Sequence, residues 1–318
     1  MTQETERGKI GRRKVLVGLA AAGGLAAAGT AAGFGIAALT GGGEEGLEPK
    51  PDLRSVAVKT AVPGADPESS LWDKAKPQRV QLIAQTVIQP LKSGDVVPWV
   101  RVRSLHDGEN IAFLLEWESG VANEHAIKID QFRDACGVFL GAAGAPPTLW
   151  TMGMPDSPVT ILHWKADWQK DIDAGFQDLE MAFPNAAFDY YPPLVGAQLP
   201  LKLPDAYPPE ARVRLPGWHV GNPLSQPVKQ VPVEKLRAIG PGTLEHLATQ
   251  NVTGRGVWKD GHWRVALTKP MKAVDPEEIS VEAGQTYSLA FTVWSGAHGD
   301  RGSRKSLTQL GQLTVEAA

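Results

Sequence analysis

The sequence predicts an all-β protein, an antiparallel β-sandwich with a proline-rich insertion and a few short helices. Prolines and glycines number 25 and 34 in 318 residues, and this composition favours many short strands joined by turns over long helices. Asp260-Gly261 lies between two apolar runs, and Asp-Gly is a strong signal for a two-residue hairpin turn. Ten tryptophans predict a core with a large aromatic share, because each buries a large area.

The individual strands are predicted from short apolar or alternating runs bounded by turn residues. These runs are Val97–Arg103, Ile111–Trp117, Leu149–Met152, Val159–Trp164, Gly256–Trp258, Trp263–Leu267, Tyr287–Trp294 and Leu310–Val315. Between about residues 167 and 254 the pattern changes. There Asp171–Ala182 and Glu234–Ile239 predict short helices, the second just after Pro232, and Tyr190–Pro232 predicts a long proline-rich excursion. We expect one sandwich with this middle insertion, not two domains.

Three segments make up the expected domain organisation. Residues 1–45 predict a twin-arginine signal or an N-terminal anchor, residues 46–70 a flexible linker, and residues 71–318 the sandwich domain. The linker is expected from its glycines, acidic residues and prolines, which favour an extended, unpacked chain.

The N-terminal segment combines paired arginines with a long apolar stretch. Arg12-Arg13 precede a weakly hydrophobic, Gly/Ala-rich run from Val15 to about Thr40, which resembles a twin-arginine export signal. This predicts export to the periplasm or to the outer face of the cytoplasmic membrane. The run also exceeds the roughly 20 residues that span a bilayer, so a retained membrane anchor is the alternative.

Composition excludes several kinds of chemistry. The net charge is −3 and no long Lys/Arg run occurs, so no nucleic-acid partner is expected. Cys136 is the only cysteine, which excludes an intrachain disulfide, a cluster held by four thiolates and covalent c-type haem attachment. The seven histidines show no metal-ligand spacing, and no nucleophile elbow, P-loop or dinucleotide fingerprint occurs. We therefore expect no catalytic centre of the chain's own.

A set of motifs carries a family resemblance that runs from about residue 70 to the end. The motifs are Leu71-Trp72, Thr151-Met152-Gly153, Pro158-Val159-Thr160, Trp164-Lys165-Ala166, the W-x-D-G-x-W hairpin within Gly256–Trp263, and Ala290–Lys305. They resemble the haem b-binding gamma-subunit family of ethylbenzene dehydrogenase, dimethyl sulfide dehydrogenase, selenate reductase and chlorate reductase.

The resemblance implies one haem b whose iron is ligated by Met152 and Lys305. A thioether is a soft, neutral ligand that favours the ferrous state. A lysine coordinates only as the neutral amine, so its pKa must fall from about 10.4. With both axial positions filled, electron transfer is the activity that the resemblance implies.

Several other side chains are candidates near the cofactor. Met154 is the rival to Met152, since residues two apart in a strand share a face, and His163 is a second rival. Trp164 and Trp294 are candidates for packing on the porphyrin, with core packing as the alternative. Lys165, Arg301 and Arg304 are candidates for pairing with the haem propionates, with a solvated surface position as the alternative.

By the same resemblance, the expected partners are an iron–sulfur subunit and a molybdenum-containing catalytic subunit, with electrons passing to or from an external carrier or the quinone pool. Two other functions stay open. The first is a membrane-anchored b-type cytochrome of another respiratory complex. The second is a cofactor-free β-sandwich binding module, whose tryptophan-rich faces would bind a sugar or a similar ligand.

Overall fold

The structure is a computed structural model that describes residues 46–144, 152–186, 208–226 and 229–317. In these ranges the strands are β1 (Leu47–Glu48), β2 (Asp52–Ala57), β3 (Gln78–Gln81), β4 (Ile83–Ala84), β5 (Trp99–His106), β6 (Asn110–Glu118), β7 (Ala135–Gly141), β8 (Val159–Lys165), β9 (Val233–Ala238), β10 (Glu245–His246), β11 (Thr253–Lys259), β12 (His262–Pro270), β13 (Thr286–Trp294), β14 (Ser306–Leu307) and β15 (Gly311–Val315). The α-helices are α1 (Ala166–Ala174), α2 (Leu179–Ala182) and α3 (Pro216–His219), and short 3-10 helices occur at Ser70–Lys74, Pro209–Val213, Pro223–Ser225 and Gly296–His298.

The strands form a 15-stranded sheet in the order β10-β9-β8-β7-β13-β15-β2-β5-β6-β12-β11, with β1, β3, β4 and β14 branching from this path. Most neighbours are antiparallel, but β2 pairs in parallel with both β15 and β5. The path folds back on itself, so that β10, β9, β8, β7 and β13 form one layer and β5, β6, β12 and β11 form the other. The predicted all-β sandwich class is confirmed.

Three tryptophans show that the two layers face each other. Trp164 of β8 lies 4.9 Å from Trp263 of β12 and 6.3 Å from Trp117 of β6, measured between ring centroids. All three side chains are buried in the main apolar cluster between the layers. The indole N–H of Trp263 donates to the buried carboxylate of Asp134 at 2.9 Å, so this polar group is satisfied inside the core.

One sequence prediction about the segments that precede the sandwich needs correction. Asp52–Ala57 belongs to the predicted linker but forms β2, which lies between β15 and β5 with Leu53 and Ser55 buried. The flexible-linker prediction is therefore wrong for this stretch, because its apolar residues fill a gap that the rest of the sheet leaves open. Residues 1–45 lie outside the described residues.

The helix predictions were only partly correct. Glu234–Ile239 was predicted as a helix, but β9 runs along β8 through Val233–Ala238, because pairing and two-sided burial override local propensity. The predicted helix over Asp171–Ala182 is two helices, α1 and α2, with Gly175 ending the first at a φ of 94°. Of the predicted strand Leu149–Met152, only Met152 lies within the described residues.

The described part of the insertion holds α3 and two of the 3-10 helices. Across the described residues, no helix combines the length and the apolar character that crossing a bilayer requires.

Candidate functional site

A cavity of about 970 Å³ opens on the outer face of the layer formed by β10, β9, β8, β7 and β13. Side chains in a strand alternate between two faces, so every second residue of β7, β8, β9 and β13 points away from the core and into this cavity. The residues of these four strands that line it are Ala135, Phe139, Val159, Ile161, His163, Lys165, Glu234, Leu236, Ala290, Thr292 and Trp294. Its size is at the upper end of the ~300–1,000 Å³ usual for ligand pockets, so it fits a large cofactor.

Met152 reaches the cavity from a tight turn. Its φ is 78°, in the left-handed region that non-glycine residues seldom adopt, and its carbonyl accepts a 2.9 Å hydrogen bond from the N–H of Gly240. The next residue, Gly153, has a φ of 84°, and a Cβ at that position would lie 2.6 Å from the carbonyl oxygen of Ala238. The Thr-Met-Gly motif therefore needs its glycine, because only glycine lets the turn press against β9.

The rival methionine lies elsewhere on the same turn. Met154 pairs with Ser157 through two backbone hydrogen bonds of 3.0 Å, is 38% exposed and does not line the cavity. Met152, in contrast, lines the cavity and packs against Val159 and Ile161 of β8. Met152 and Met154 were expected to share a face only if a strand continued through both residues. The chain forms a turn there, so they point to different surroundings.

Lys305 is buried and lines the same cavity. Its ammonium nitrogen lies 5.0 Å from the ring centroids of both Phe139 and Trp294, and among the described residues it has no hydrogen-bond or ion-pair partner. Burial lowers the pKa of Lys305 to about 8. A buried amine that faces a cavity without a polar partner is costly unless a ligand satisfies it.

The segment that carries Lys305 is held by four hydrogen bonds. Gln85 donates from its backbone N–H to the carbonyl of Lys305 at 3.1 Å and from its side chain to the carbonyl of Ser303 at 2.9 Å. The indole N–H of Trp294 donates to the carbonyl of Gly302 at 3.0 Å. The Asp300 carboxylate accepts a 3.1 Å bond from the N–H of Ser295. These contacts fix the position from which the Lys305 side chain enters the cavity.

Lys165 also lines the cavity, but it is already paired. Its ammonium nitrogen lies 2.5 Å from a Glu234 carboxylate oxygen and 3.8 Å from the ring centroid of Trp168. Burial lowers the pKa of Lys165 to about 8, against the opposing effect of Glu234. The other Glu234 oxygen lies 3.0 Å from His246 Nε2. This carboxylate therefore balances the charge of Lys165 and also contacts His246.

His163 lies between these groups and Trp294. Its ring stacks on Trp294 with centroids 4.7 Å apart and planes 28° apart, and its Nδ1 is 3.8 Å from Glu234, too long for a hydrogen bond. Burial, together with the positive charges of Lys165, Arg133 and Lys305, holds the pKa of His163 well below its usual range. His163 is therefore a neutral, aromatic part of the wall near neutral pH.

The structure separates the remaining candidate residues. Trp164 is completely buried and lies on the core face of β8, where its indole N–H donates to Gln169 at 3.0 Å. It does not line the cavity, so its interpretation as a cofactor contact is replaced by core packing. Trp294 and Arg301 line the cavity, whereas Arg304 does not. The structure therefore brings Met152, Lys305, Lys165 and Trp294 to one cavity and excludes Trp164 from it.

Sequence reasoning missed Glu234, Gln85 and Phe139. Glu234 was hidden inside a predicted helix, because β9 is buried on both faces and its sequence shows no apolar/polar alternation. Gln85 and Phe139 have no sequence signal, because their roles arise from distant parts of the chain meeting at the cavity.

Fold and site together define the class: a β-sandwich with a mostly apolar, cofactor-sized cavity on one outer face, lined by a thioether and by a buried amine that has no polar partner among the described residues. Among the described residues, no cluster of three or more His, Cys, Asp or Glu side chains could hold a metal ion alone. The sequence profile of the family described as ethylbenzene dehydrogenase matches residues 69–180 and 214–306. This match covers more than half of the chain, and the chain belongs to that family.

Named relatives agree with this family. A Haloferax mediterranei protein provisionally named respiratory nitrate reductase heme subunit ORF7 is 20% identical over 245 residues, which cover 76% of this chain and 65% of that protein. This chain therefore spans just under two thirds of that relative. Chlorate reductase subunit gamma of Ideonella dechloratans is 21% identical over 301 residues, 93% of this chain and 94% of that one. Dimethylsulfide dehydrogenase subunit gamma of Rhodovulum sulfidophilum is 32% identical over 95 residues, 27% of this chain and 36% of that one.

Among solved structures, a family 9 carbohydrate-binding module from Caldicellulosiruptor kristjanssonii in complex with glucose matches with a TM-score of 0.36 and 10% identity, over 83% of this chain and 96% of that one.

Proposed function

We propose that this chain is the haem b-binding electron-transfer subunit of an exported oxidoreductase complex. One observation carries the proposal: an unpaired buried amine, Lys305, and a thioether, Met152, line the same large apolar cavity. A thioether and a neutral amine would both be able to hold a haem iron, and a cavity of about 970 Å³ would have room for the macrocycle. The family and the names of its relatives support the same cofactor.

The chemistry of the two residues suits this role. Met152 offers a soft, uncharged sulfur that favours ferrous iron. Lys305 must give up its proton to bind a metal, and a folded-state pKa of about 8 lies only one unit above neutral pH. Deprotonating an exposed lysine, with a pKa of about 10.4, would cost roughly 3 kcal/mol more free energy at pH 7. Burial therefore prepares Lys305 as a ligand before any metal binds.

When bound, haem supplies reversible one-electron exchange at its iron. The chain's own residues keep that exchange free of side reactions. Phe139, Ile161 and Leu236 form apolar walls that exclude water from the site. If Met152 and Lys305 both held the iron, no coordination position would remain for oxygen or substrate. Lys165 is kept from competing by its ion pair with Glu234. The chain would thus carry electrons without acting on a substrate.

The partners and location follow from the same proposal. The relatives are named as subunits of chlorate reductase, dimethylsulfide dehydrogenase and respiratory nitrate reductase, which supports an iron–sulfur subunit and a molybdenum-containing catalytic subunit as partners. Arg12-Arg13 and the apolar stretch behind them support export by the twin-arginine route, to the periplasm or to the outer face of the cytoplasmic membrane. The electrons would then pass to or from an external carrier or the quinone pool.

The buried tryptophans argue against the sugar-binding alternative. Trp72, Trp117, Trp164 and Trp263 are among the largest fully buried side chains of the described residues. These four cannot offer the flat exposed faces on which sugars stack, so the core accounts for this part of the tryptophan content.

A visible spectrum of the purified protein, combined with a pyridine haemochrome assay, tests the proposal. We expect a low-spin b-type spectrum and complete release of the haem into acidic acetone, because Cys136 alone cannot attach it covalently. A full-length protein that binds no haem when supplied with it, or that retains haem after extraction, would overturn the proposal.

A further inference from the structure

We propose that Lys128 and Arg301, two exposed cations that line the cavity, pair with the two propionate groups of the cofactor. The proposal rests on the proposed haem-binding function and adds which residues recognise the charged edge of the ligand. A porphyrin of the b type is apolar except for two carboxylates on one edge. A cavity that binds it must therefore offer positive charge at one place and apolar walls elsewhere.

Most of the cationic groups that line the cavity are already engaged. Lys165 is paired with Glu234 at 2.5 Å, and Arg133 with Asp167 at 2.8 Å. Lys305 is buried against aromatic rings deep in the wall. None of these has positive charge to spare for a ligand carboxylate at the opening.

Lys128 and Arg301 are different. Both line the cavity and both are exposed, and within the described parts of the chain neither forms an ion pair with an acid. The acidic lining residues are Glu234 and Asp300, and each is neutralised by its own buried lysine. Two uncompensated cations therefore remain on the lining.

These two cations come from separate loops that meet at one place. Lys128 starts a turn closed by the N–H of Gln131 on its carbonyl at 3.0 Å, and this turn leads into Phe132. The guanidinium of Arg301 lies 5.8 Å from the Phe132 ring centroid, and a Cβ on Gly299 would lie 3.7 Å from the same ring. Phe132 itself lines the cavity, so Arg301 lies beside an aromatic ring of the lining. The ammonium nitrogen of Lys128 lies 5.6 Å from the ring centroid of Phe183, a contact that leaves its positive charge without an acidic partner.

One acid lies close to this arrangement. Asp130 is exposed on the same turn as Lys128, does not line the cavity and makes no ion pair with Lys128 or Arg301 in the described ranges. Asp130 lowers the positive potential near Lys128, but solvent screens its exposed charge, so the lining stays positive.

The test compares porphyrins with free and with esterified carboxylates. Iron-free protoporphyrin IX and its dimethyl ester are titrated into the full chain, and binding is followed by quenching of tryptophan fluorescence. Without iron, the axial ligands do not contribute, so failure of the ligand assignment and failure of this proposal are distinguishable.

We expect Lys128→Glu and Arg301→Glu each to weaken the binding of protoporphyrin IX by about 3- to 10-fold, as reversal of an exposed ion pair predicts. Binding of the dimethyl ester should not change, and the difference should shrink at high salt.

Arg304→Glu is the matched control. The backbone of Arg304 forms a β-bridge with that of Arg301 across one small turn. Arg304 does not line the cavity, and its guanidinium lies 3.5 Å from the carbonyl oxygen of Ser93. It should leave the affinity for both porphyrins unchanged. The proposal is overturned if Lys128→Glu and Arg301→Glu leave protoporphyrin IX binding unchanged, if they weaken both porphyrins equally, or if Arg304→Glu has the same effect. A wild-type chain that binds neither porphyrin nor haem would overturn the proposed function as well.

Discussion

The ammonium nitrogen of Lys92 lies 2.6 and 2.7 Å from the two carboxylate oxygens of Asp300, and both side chains are almost completely buried. The two residues are far apart in sequence. Lys92 follows the loop that begins at Gln85, and Asp300 belongs to the segment that leads to Lys305. This pair therefore joins the two loops that form one side of the cavity.

Lys92→Met should destabilise the protein by about 3–5 kcal/mol, because it leaves the Asp300 carboxylate buried without its counter-ion. The free energy of unfolding, from urea denaturation at pH 7, measures the effect. Arg255→Met is the matched control, since it breaks the exposed Arg255–Asp173 pair at 3.0 Å and should cost less than about 1 kcal/mol. Equal losses in the two variants would show that burial does not govern the Lys92–Asp300 pair.

Met152→Ala should remove the soft axial ligand. We expect a lower reduction potential of the haem protein and a ferrous form that binds carbon monoxide stoichiometrically, whereas the wild type binds none. Potentiometric titration and the carbon monoxide difference spectrum measure these two properties. Met154→Ala is the control, because Met154 lies on the same turn but outside the cavity. If Met154→Ala produces these changes and Met152→Ala does not, the methionine is wrongly assigned.

Lys305→Ala should convert the low-spin spectrum to a high-spin one near neutral pH while the sandwich stays folded. Lys305→Arg should not restore the low-spin form, because a guanidinium keeps its proton and cannot coordinate. Electron paramagnetic resonance and the visible spectrum report the spin state, and circular dichroism reports the fold. A wild-type spectrum in Lys305→Ala would mean that another residue is the ligand, with Lys165 and His163 the next to test.

The double variant Arg12→Lys with Arg13→Lys should block export and leave the precursor in the cytoplasm. Cell fractionation with immunoblotting measures the distribution. Lys9→Arg, a conservative change just before the pair, is the control and should export normally. Normal export of the double variant would point to the general secretory route or to a simple anchor.

The strands that could be predicted are those whose own sequence shows the alternation. Asn110–Glu118, His262–Pro270 and Thr286–Trp294 differ from their predicted bounds by only a few residues, because hairpin turns and apolar runs are local signals. β2 and β9 could not be predicted, since a short strand between two others depends on partners far away in sequence. Local propensity does not record such partners.

The site was predictable to a smaller extent. The resemblance pointed to Met152 and Lys305, and both line the cavity. The face of β8 was not predictable, because a strand's period gives two alternating sets and does not say which set faces the core. Trp164 was therefore placed with Lys165 in the site, whereas adjacent residues of a strand point in opposite directions.

The stability of the haem-free protein should rise with pH because of Lys305. Its pKa is lowered from 10.5 in the unfolded chain to about 8 in the folded protein, so below pH 8 both states bind the proton and the folded state carries the full penalty of a buried charge. Between pH 8 and 10.5 the unfolded state binds more protons than the folded state, and the free energy of unfolding rises with pH. The total gain is about 3 kcal/mol at about 1.4 kcal/mol per pKa unit.

Lys305→Met should stabilise the apoprotein by a similar amount at pH 7, and its free energy of unfolding should not show the rise with pH that Lys305 causes. Urea denaturation of both proteins at pH 7 and pH 10 measures the difference, which removes the contribution of Lys165 because both proteins contain it. If the two proteins show the same stability at pH 7, the Lys305 ammonium finds a polar partner in the apoprotein and is not the unpaired buried amine described above.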